Sequence, residues 1–296
     1  MAIFIPQWER YQKPISGGKS VELDPNNHIS DRITYFAPLF TGSLEVLGHG
    51  GLPLSAALES SGTDTTYLEW DDEGLRNTTY DGTYADGMGY VCPLGVQQKI
   101  YRTVGVQLKI VPGDYTNIDF IVLGDRDLNS DKSVSAYNGF AFTGGNNLKL
   151  STSQSVADFG AAVIDDGQMH TYVANVSDGG SFQTALYIDG ILHSRITSAK
   201  RTRDTLGSNV LIGSGSQHHN RGLNGVISSA FLVNSDQDES LAQALSENPY
   251  QILKPRRKFW VMPAAAGTFP GTLPNLQTLN RGYGPILSAR LGGLLQ

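Results

Sequence analysis

The sequence predicts an all-β fold: an antiparallel β-sandwich whose strands lie between about residue 60 and residue 235, with an extended arm on either side. Three observations predict it. From Tyr101 onward, apolar and polar residues alternate with a period of two, as they do in a strand with two different faces. The alternating runs are short and divided by Gly, Asn and Asp, the residues that supply tight turns. Charged residues make up only 17% of the 296 and glycine fills 34 positions, which suits many turns and few long solvated helices.

Residues 1–58 show little periodicity. Pro6, Pro14, Pro25, Pro38 and Pro53 interrupt them, with short apolar clusters such as 33–39 between. Proline has no backbone donor and restricts the residue before it, so no long helix is expected and the segment reads as an extended N-terminal arm. Residues 101–111 are the clearest strand. Val104, Val106, Leu108 and Ile110 fall on one face, and Thr103, Gly105, Gln107 and Lys109 on the other, which predicts a half-buried strand. Residues 117–123 place Ile118, Phe120 and Val122 together, and residues 170–176 do the same for Tyr172, Ala174 and Val176. The run 184–188 enters Asp189-Gly190, a pair able to take positive φ at both central positions of a hairpin turn, with 191–197 as the returning strand. Residues 210–212 and 225–233 complete the series.

One short helix is expected near 236–248. Asp236 with Glu239 three residues on makes a capping-box pattern, Leu241, Ala244 and Leu245 share a face, and Asn248 before Pro249 should end it. Beyond Lys254, Pro263, Pro270, Pro274 and Pro285 punctuate a Gly-rich tail with scattered leucines. The organisation expected is therefore an arm at 1–58, a sandwich at 59–253 and an extended C-terminal arm at 254–296 that packs on a partner or on the domain.

Lys and Arg total 22 against 28 Asp and Glu, a net charge of −6, which argues against a nucleic-acid partner because phosphate binding needs a basic surface. Cys92 is the single cysteine, so an intrachain disulfide and a Cys-rich zinc site are excluded. It reads as a small buried hydrophobe. Residues 1–10 lack a signal-peptide pattern, and no apolar run approaches the ~20 residues that span a bilayer, so no membrane partner is expected. The chain reads as soluble and made in a reducing cytosol.

Four pieces of the sequence carry a family resemblance: Gly167-Gln168-Met169-His170-Thr171-Tyr172; Ala185-Leu186-Tyr187-Ile188-Asp189-Gly190; Leu211-Ile212-Gly213-Ser214; and Asn220 through Gly225 to Ala230. Together they resemble the laminin-G-like, concanavalin A-type jelly roll. Each also has a physical reading: the Asp-Gly turn closes a hairpin, Gly213 ends a strand, and Gly225 opens one where a side chain would obstruct the sheet. The ending, Asn248-Pro249-Tyr250-Gln251-Ile252-Leu253 followed by Pro255-Arg256-Arg257, is similar to the terminus of laminin-G-like proteins encoded among tailed-bacteriophage virion genes. The Pro-rich opening that leads into Asp31-Arg32-Ile33-Thr34-Tyr35 is similar to that group as well.

The sharpest catalytic pattern is Glu69-Trp70-Asp71-Asp72-Glu73. On one strand, Glu69, Asp71 and Glu73 would share a face, similar to the E-x-D-x-E strand of laminarinase-type glycosidases of this fold. Asp72 departs from that pattern, where an apolar residue would pack the opposite side. Gly74 ends the run as a turn would, and Trp8, Trp70 and Trp260 are the three tryptophans available to line a sugar cleft. An exposed acidic strand end is the preferred reading, and no catalytic residue is assigned. Asp125, Asp127, Asn129 and Asp131 place acidic or amide oxygens at alternate positions, the pattern of a calcium loop. Ser130 and Ala136 stand where an EF-hand requires Gly and Glu, so a polar hairpin loop is preferred and calcium is the alternative.

His218-His219, in the 214–222 loop, has no third ligand close by and reads as solvated. His170 reads as structural. Gly48-His49-Gly50-Gly51 lacks the strand and helix of a phosphate loop. The basic run 254–258, before Phe259-Trp260-Val261, reads as a solvated link or an arm against an acidic neighbouring subunit.

The resemblance implies a non-enzymatic bacteriophage virion structural protein, synthesised in the host cytoplasm. In that role, most naturally capsid decoration, it would hold a major capsid or tail protein and further copies of itself through its arms. The alternative is a carbohydrate-binding adhesin or tail-fibre component, with loops such as 214–222 or 125–131 contacting a glycan.

Overall fold

The structure, a computed structural model, describes residues 20–42, 45–48, 55–57, 68–71, 73–77, 89–93, 103–112, 120–126, 138–143, 147–152, 155–176, 183–197, 209–212, 225–234 and 238–256. In chain order the strands are β1 (Val21–Leu23), β2 (Ile33–Ala37), β3 (Ser55–Ala57), β4 (Leu68–Asp71), β5 (Gly74–Asn77) and β6 (Gly89–Pro93). Next come β7 (Thr103–Ile110), β8 (Phe120–Arg126), β9 (Asn138–Thr143), β10 (Asn147–Thr152), β11 (Ser155–Asp158) and β12 (Met169–Val176). The last are β13 (Gln183–Ile188), β14 (Ile191–Thr197), β15 (Asn209–Ile212), β16 (Gly225–Val233), the helix α1 (Glu239–Glu247) and β17 (Leu253–Pro255). No helix among the described residues is long and apolar enough to cross a membrane.

Two antiparallel sheets make the body. One runs β11-β10-β9-β8-β15-β6-β3 and the other β14-β13-β12-β7-β16-β5-β4, with β2 added to β16. Between them lies one core, in which Val104, Val106, Leu108, Ile110, Tyr172 and Ala174 of the second sheet meet Phe140, Leu148 and Leu150 of the first. This is the predicted all-β antiparallel sandwich, with the inward residues of β7 and β12 as the alternation places them.

The central strands of the second sheet are buried on their other face too. Val173, Ala185, Tyr187, Phe231 and Val233 point away from the first core into a second one, closed by Ile29, Phe40, Leu241, Leu245, Tyr250 and Ile252. The half-buried expectation for β7 is corrected accordingly: Thr103 is fully buried and Gln107 nearly so, on the face expected in solvent. A strand covered on both faces reads as a continuous apolar run. Residues 225–233 come near to that, broken only by Ser228-Ser229, and all of β16 is buried.

Part of the segment read as an N-terminal arm lies in this body. Residues 33–37 pair with β16 (Ala230↔Ala37, Phe231↔Phe36), and Val21–Leu23 pairs with Leu253–Pro255. The prolines that exclude a helix there do not exclude edge strands. Both β2 and β5 occupy one edge of β16, and Ser228 bulges out of register near their junction. Gly74, at φ +151°, comes so close to this point that a β-carbon would lie 2.2 Å from the Ile227 carbonyl oxygen. At Gly225 a β-carbon would lie 1.9 Å from the Lys109 carbonyl oxygen, the obstruction the sequence suggests.

The helix starts two residues later than its sequence pattern. Asp238, not Asp236, is the N-cap, and its carboxylate accepts the Leu241 N–H (3.1 Å). The position three beyond the cap is then Leu241, so no capping box forms. Asn248 ends the helix in extended backbone, as a residue before proline should, and its side chain caps the following 3-10 turn by accepting the Tyr250 N–H.

Candidate functional site

A cluster of three ionisable groups with defined partners lies where β12 begins. The predicted hairpin turn forms, with Asp189 at φ 50° and Gly190 at φ 80°. The Asp189 side chain folds back on β12: its Oδ1 accepts the Thr171 N–H (2.8 Å) and its Oδ2 meets His170 Nδ1 at 2.6 Å. On the far side of the ring, His170 Nε2 meets Asp166 Oδ1 at 3.1 Å, and Asp166 also accepts the Gln168 N–H (2.8 Å). Burial opposes a charge on His170, but the two carboxylates outweigh it and raise the imidazole pKa above its ordinary value. The Gln168 N–H and then His170 lower that of Asp166.

Behind this cluster, a polar layer joins the sheet to α1. Ser246 Oγ accepts the Gly190 N–H (3.0 Å) and donates to the Thr171 carbonyl (3.2 Å). Gln107 Nε2 donates to Thr171 Oγ1 (3.3 Å), while its Oε1 takes the Tyr250 hydroxyl, which also meets Ser228 Oγ at 3.0 Å. Burial drives the pKa of Tyr250 far up, so this phenol stays a neutral donor. At the helix start, Glu239 accepts from the Tyr187 hydroxyl (2.8 Å) and from Arg195 Nη2 (2.5 Å). The Arg195 contact, followed by that of Tyr187, holds the Glu239 carboxyl below its ordinary range.

The cluster can hold a proton but is not a chelate. The two carboxylates contact opposite nitrogens of one ring and share no centre, and among the described residues no group of three metal-ligating side chains converges. Sequence reasoning reads His170 as structural and misses both partners. Asp166 four residues before it was the available signal, and Asp189 was assigned to its turn alone.

The acidic run does not form one strand. It reverses between β4 and β5, Glu73 lies in the turn, and its carboxylate is ion-paired with Lys109 on β7. Trp70 is 37% exposed opposite Leu75. Of the calcium candidates, Asp125 lies within β8, opposite Val210 and Asn138, while Asp127, Asn129 and Asp131 are outside the described residues. The other candidate loop, 214–222, is outside them as well. The strands that bear these loops are described: Asn209 pairs with Arg126 and Ile212 with Leu123. The 127 and 213 segments therefore leave from opposite ends of the β8–β15 pair.

Two cations of the basic run are used within the body. Lys254 pairs with Glu22 (3.3 Å), and Arg256 makes a forked contact with Glu45 (2.7 and 3.1 Å). Their acidic partners belong to the same chain; Arg257 and Lys258 are outside the described residues. Cys92 lies on β6 opposite Val210.

No family model matches the chain, and no curated protein matches its sequence. Among solved structures, it is similar to domain 4 of an extracellular GH43 arabinanase from Geobacillus stearothermophilus, solved in complex with arabinotriose. That likeness has a TM-score of 0.52 at 15% identity and covers 73% of this chain and 98% of that one. The CBM40 of a Ruminococcus gnavus sialidase bound to α2,6-sialyllactose has a TM-score of 0.42 at 15% identity, over 55% of this chain and 95% of that one. A Trypanosoma rangeli sialidase has a TM-score of 0.48 at 15% identity, and this chain spans 36% of its length. At this identity the arabinanase likeness shows the fold, a jelly-roll-like β-sandwich, and nothing further.

Proposed function

We propose that this chain is a non-catalytic glycan-binding β-sandwich module. The observation that carries the reading is its backbone likeness to nearly the whole of an arabinanase domain solved with arabinotriose bound. The acidic hairpin supports the non-catalytic part, because Glu73 leaves the strand for a turn and is neutralised by Lys109. Glycan contact is assigned to the loops, with 125–131 and 214–222 as the candidates. The test is a glycan array on the full chain, followed by calorimetry on each hit. Saturable binding lost on replacing one loop with Gly-Ser and kept on replacing the other supports the reading. Absence of binding at millimolar glycan, or release of reducing ends, overturns it.

A second reading, a bacteriophage virion structural protein, is favoured by the β1–β17 ribbon. The Arg256 N–H donates to the Ser20 carbonyl (2.9 Å), so the segments before and after the body attach to it at one place, as they would in a domain tethered through its arms. Co-purification with particles at fixed stoichiometry, abolished by deleting 263–296, supports this reading. Full occupancy by the truncated chain sinks it.

A further inference from the structure

The His170 ring joins two separate segments through its two nitrogens, Asp189 of the β13–β14 turn at Nδ1 and Asp166 of the β11–β12 loop at Nε2. Ionised carboxylates only accept, so each contact needs an N–H on the ring, and only the imidazolium has two. The neutral ring turns one lone pair toward a carboxylate.

The two sides differ in what else holds them. Asp189 also accepts the Thr171 N–H, and the adjacent Gly190 is held by Ser246. Asp166 has one further contact among the described residues, to Gln168 in its own loop. The preceding part of that loop is anchored independently, because the Ile164 N–H donates to the Tyr172 hydroxyl (3.0 Å). Of the two contacts, the one to Asp166 is therefore the one lost with the proton, and residues 165–168 are the segment that moves.

We propose that His170 is a proton-operated clasp: the imidazolium pins residues 165–168 to the β13–β14 turn, and loss of one proton frees that segment while the turn stays fixed. The surroundings favour the charged form. The loop brings Asp165 and Asp166, the turn brings Asp189, and α1 brings Glu247 against Gly190. From β7, Leu108 stands directly opposite with Lys109 beside it, and Tyr172 lies edge-on at 6.5 Å on β12 itself. The clasp is independent of any glycan.

The test is side-chain and backbone NMR on the full chain between about pH 5.5 and 9. His170 should titrate above the ordinary histidine value of 6.5. Across that titration the backbone order parameters of 165–168 should fall from about 0.85 toward 0.6 or below, while those of Thr171 and Gly190 hold. Asp166→Asn, at an exposed position, should lower the His170 pKa and remove the pH dependence of the segment, and His170→Gln should leave it mobile at every pH. If His170→Gln does not fold, Asp166→Asn decides alone. Order parameters equal on both sides of the titration, loosening of Thr171 in step with 165–168, or His170 titrating at or below 6.5 overturns the proposal.

Discussion

Gly105 on β7 lies beneath the ring of Phe231, its cross-strand partner on β16: a β-carbon there would sit 2.1 Å from two ring carbons. The ring cannot simply move away, because it stacks on Phe36 at 5.7 Å inside the outer core. Gly105→Ala is expected to cost about 1–3 kcal/mol, the range for overpacking a filled core. Urea unfolding should show a lower midpoint with unchanged slope. Phe231→Leu should cost less in the Gly105→Ala background than in the parent, giving a non-zero coupling in the double-mutant cycle.

Tyr250 ties the 3-10 turn after α1 to the sheet through Gln107 and Ser228. Tyr250→Phe keeps the edge-on contact with Phe40 (4.9 Å) but leaves two buried polar groups short of a partner. A loss of about 1–3 kcal/mol in denaturant unfolding is expected. In the parent, Tyr250 and Tyr172 should resist ionisation in an alkaline absorbance titration until the protein unfolds, since burial drives both phenols far up.

Asp238→Ala removes the helix cap and should destabilise the fold by about 0.5–2 kcal/mol, whereas Asp236→Ala should not, a contrast thermal melts can read. The Ser240 hydroxyl, the Leu241 N–H and Arg32 hold Asp238 below its ordinary carboxyl pKa. Its contribution is therefore present above the unfolded value near 3.8 and is lost as pH falls through the lower folded value. The Asp238→Ala penalty should shrink in acid.

The sign is opposite at His170. Its folded pKa is raised, so its stabilisation is complete below the unfolded value of 6.5 and disappears as pH rises through the folded one. Midpoints measured at pH 6 and at pH 9 should differ in the parent, and His170→Gln should reduce the difference. A parent more stable at pH 9 than at pH 6 would contradict the sign.

The hairpin at Asp189-Gly190 and the inward faces of β7 and β12 were legible because each depends on local rules: positive φ at a two-residue turn and a side-chain period of two. The helix stop before Pro249 was legible for the same reason. Its start was not, since Asp236 and Asp238 both suit an N-cap and the choice fell to Asp238, which also meets Arg32 at 3.6 Å. The turn that ends the acidic run before Gly74 was legible, but that it sets Glu73 against Lys109, 36 residues away, was not.

By itself, then, the sequence determined the class of fold, the positions of β7, β8 and β12 to β16, and the turn that orients Asp189, since these follow from dihedral preference and periodicity. Tertiary structure alone decided that the centre of the second sheet has two buried faces, because only the return of β2, α1 and the 249–252 turn onto it removes water from Thr103 and Gln107. It also decided the partners of His170. Asp166 lies four residues before the histidine, but Asp189 lies nineteen after it, and bringing loop and turn to opposite sides of one ring depends on how the chain packs, not on local spacing.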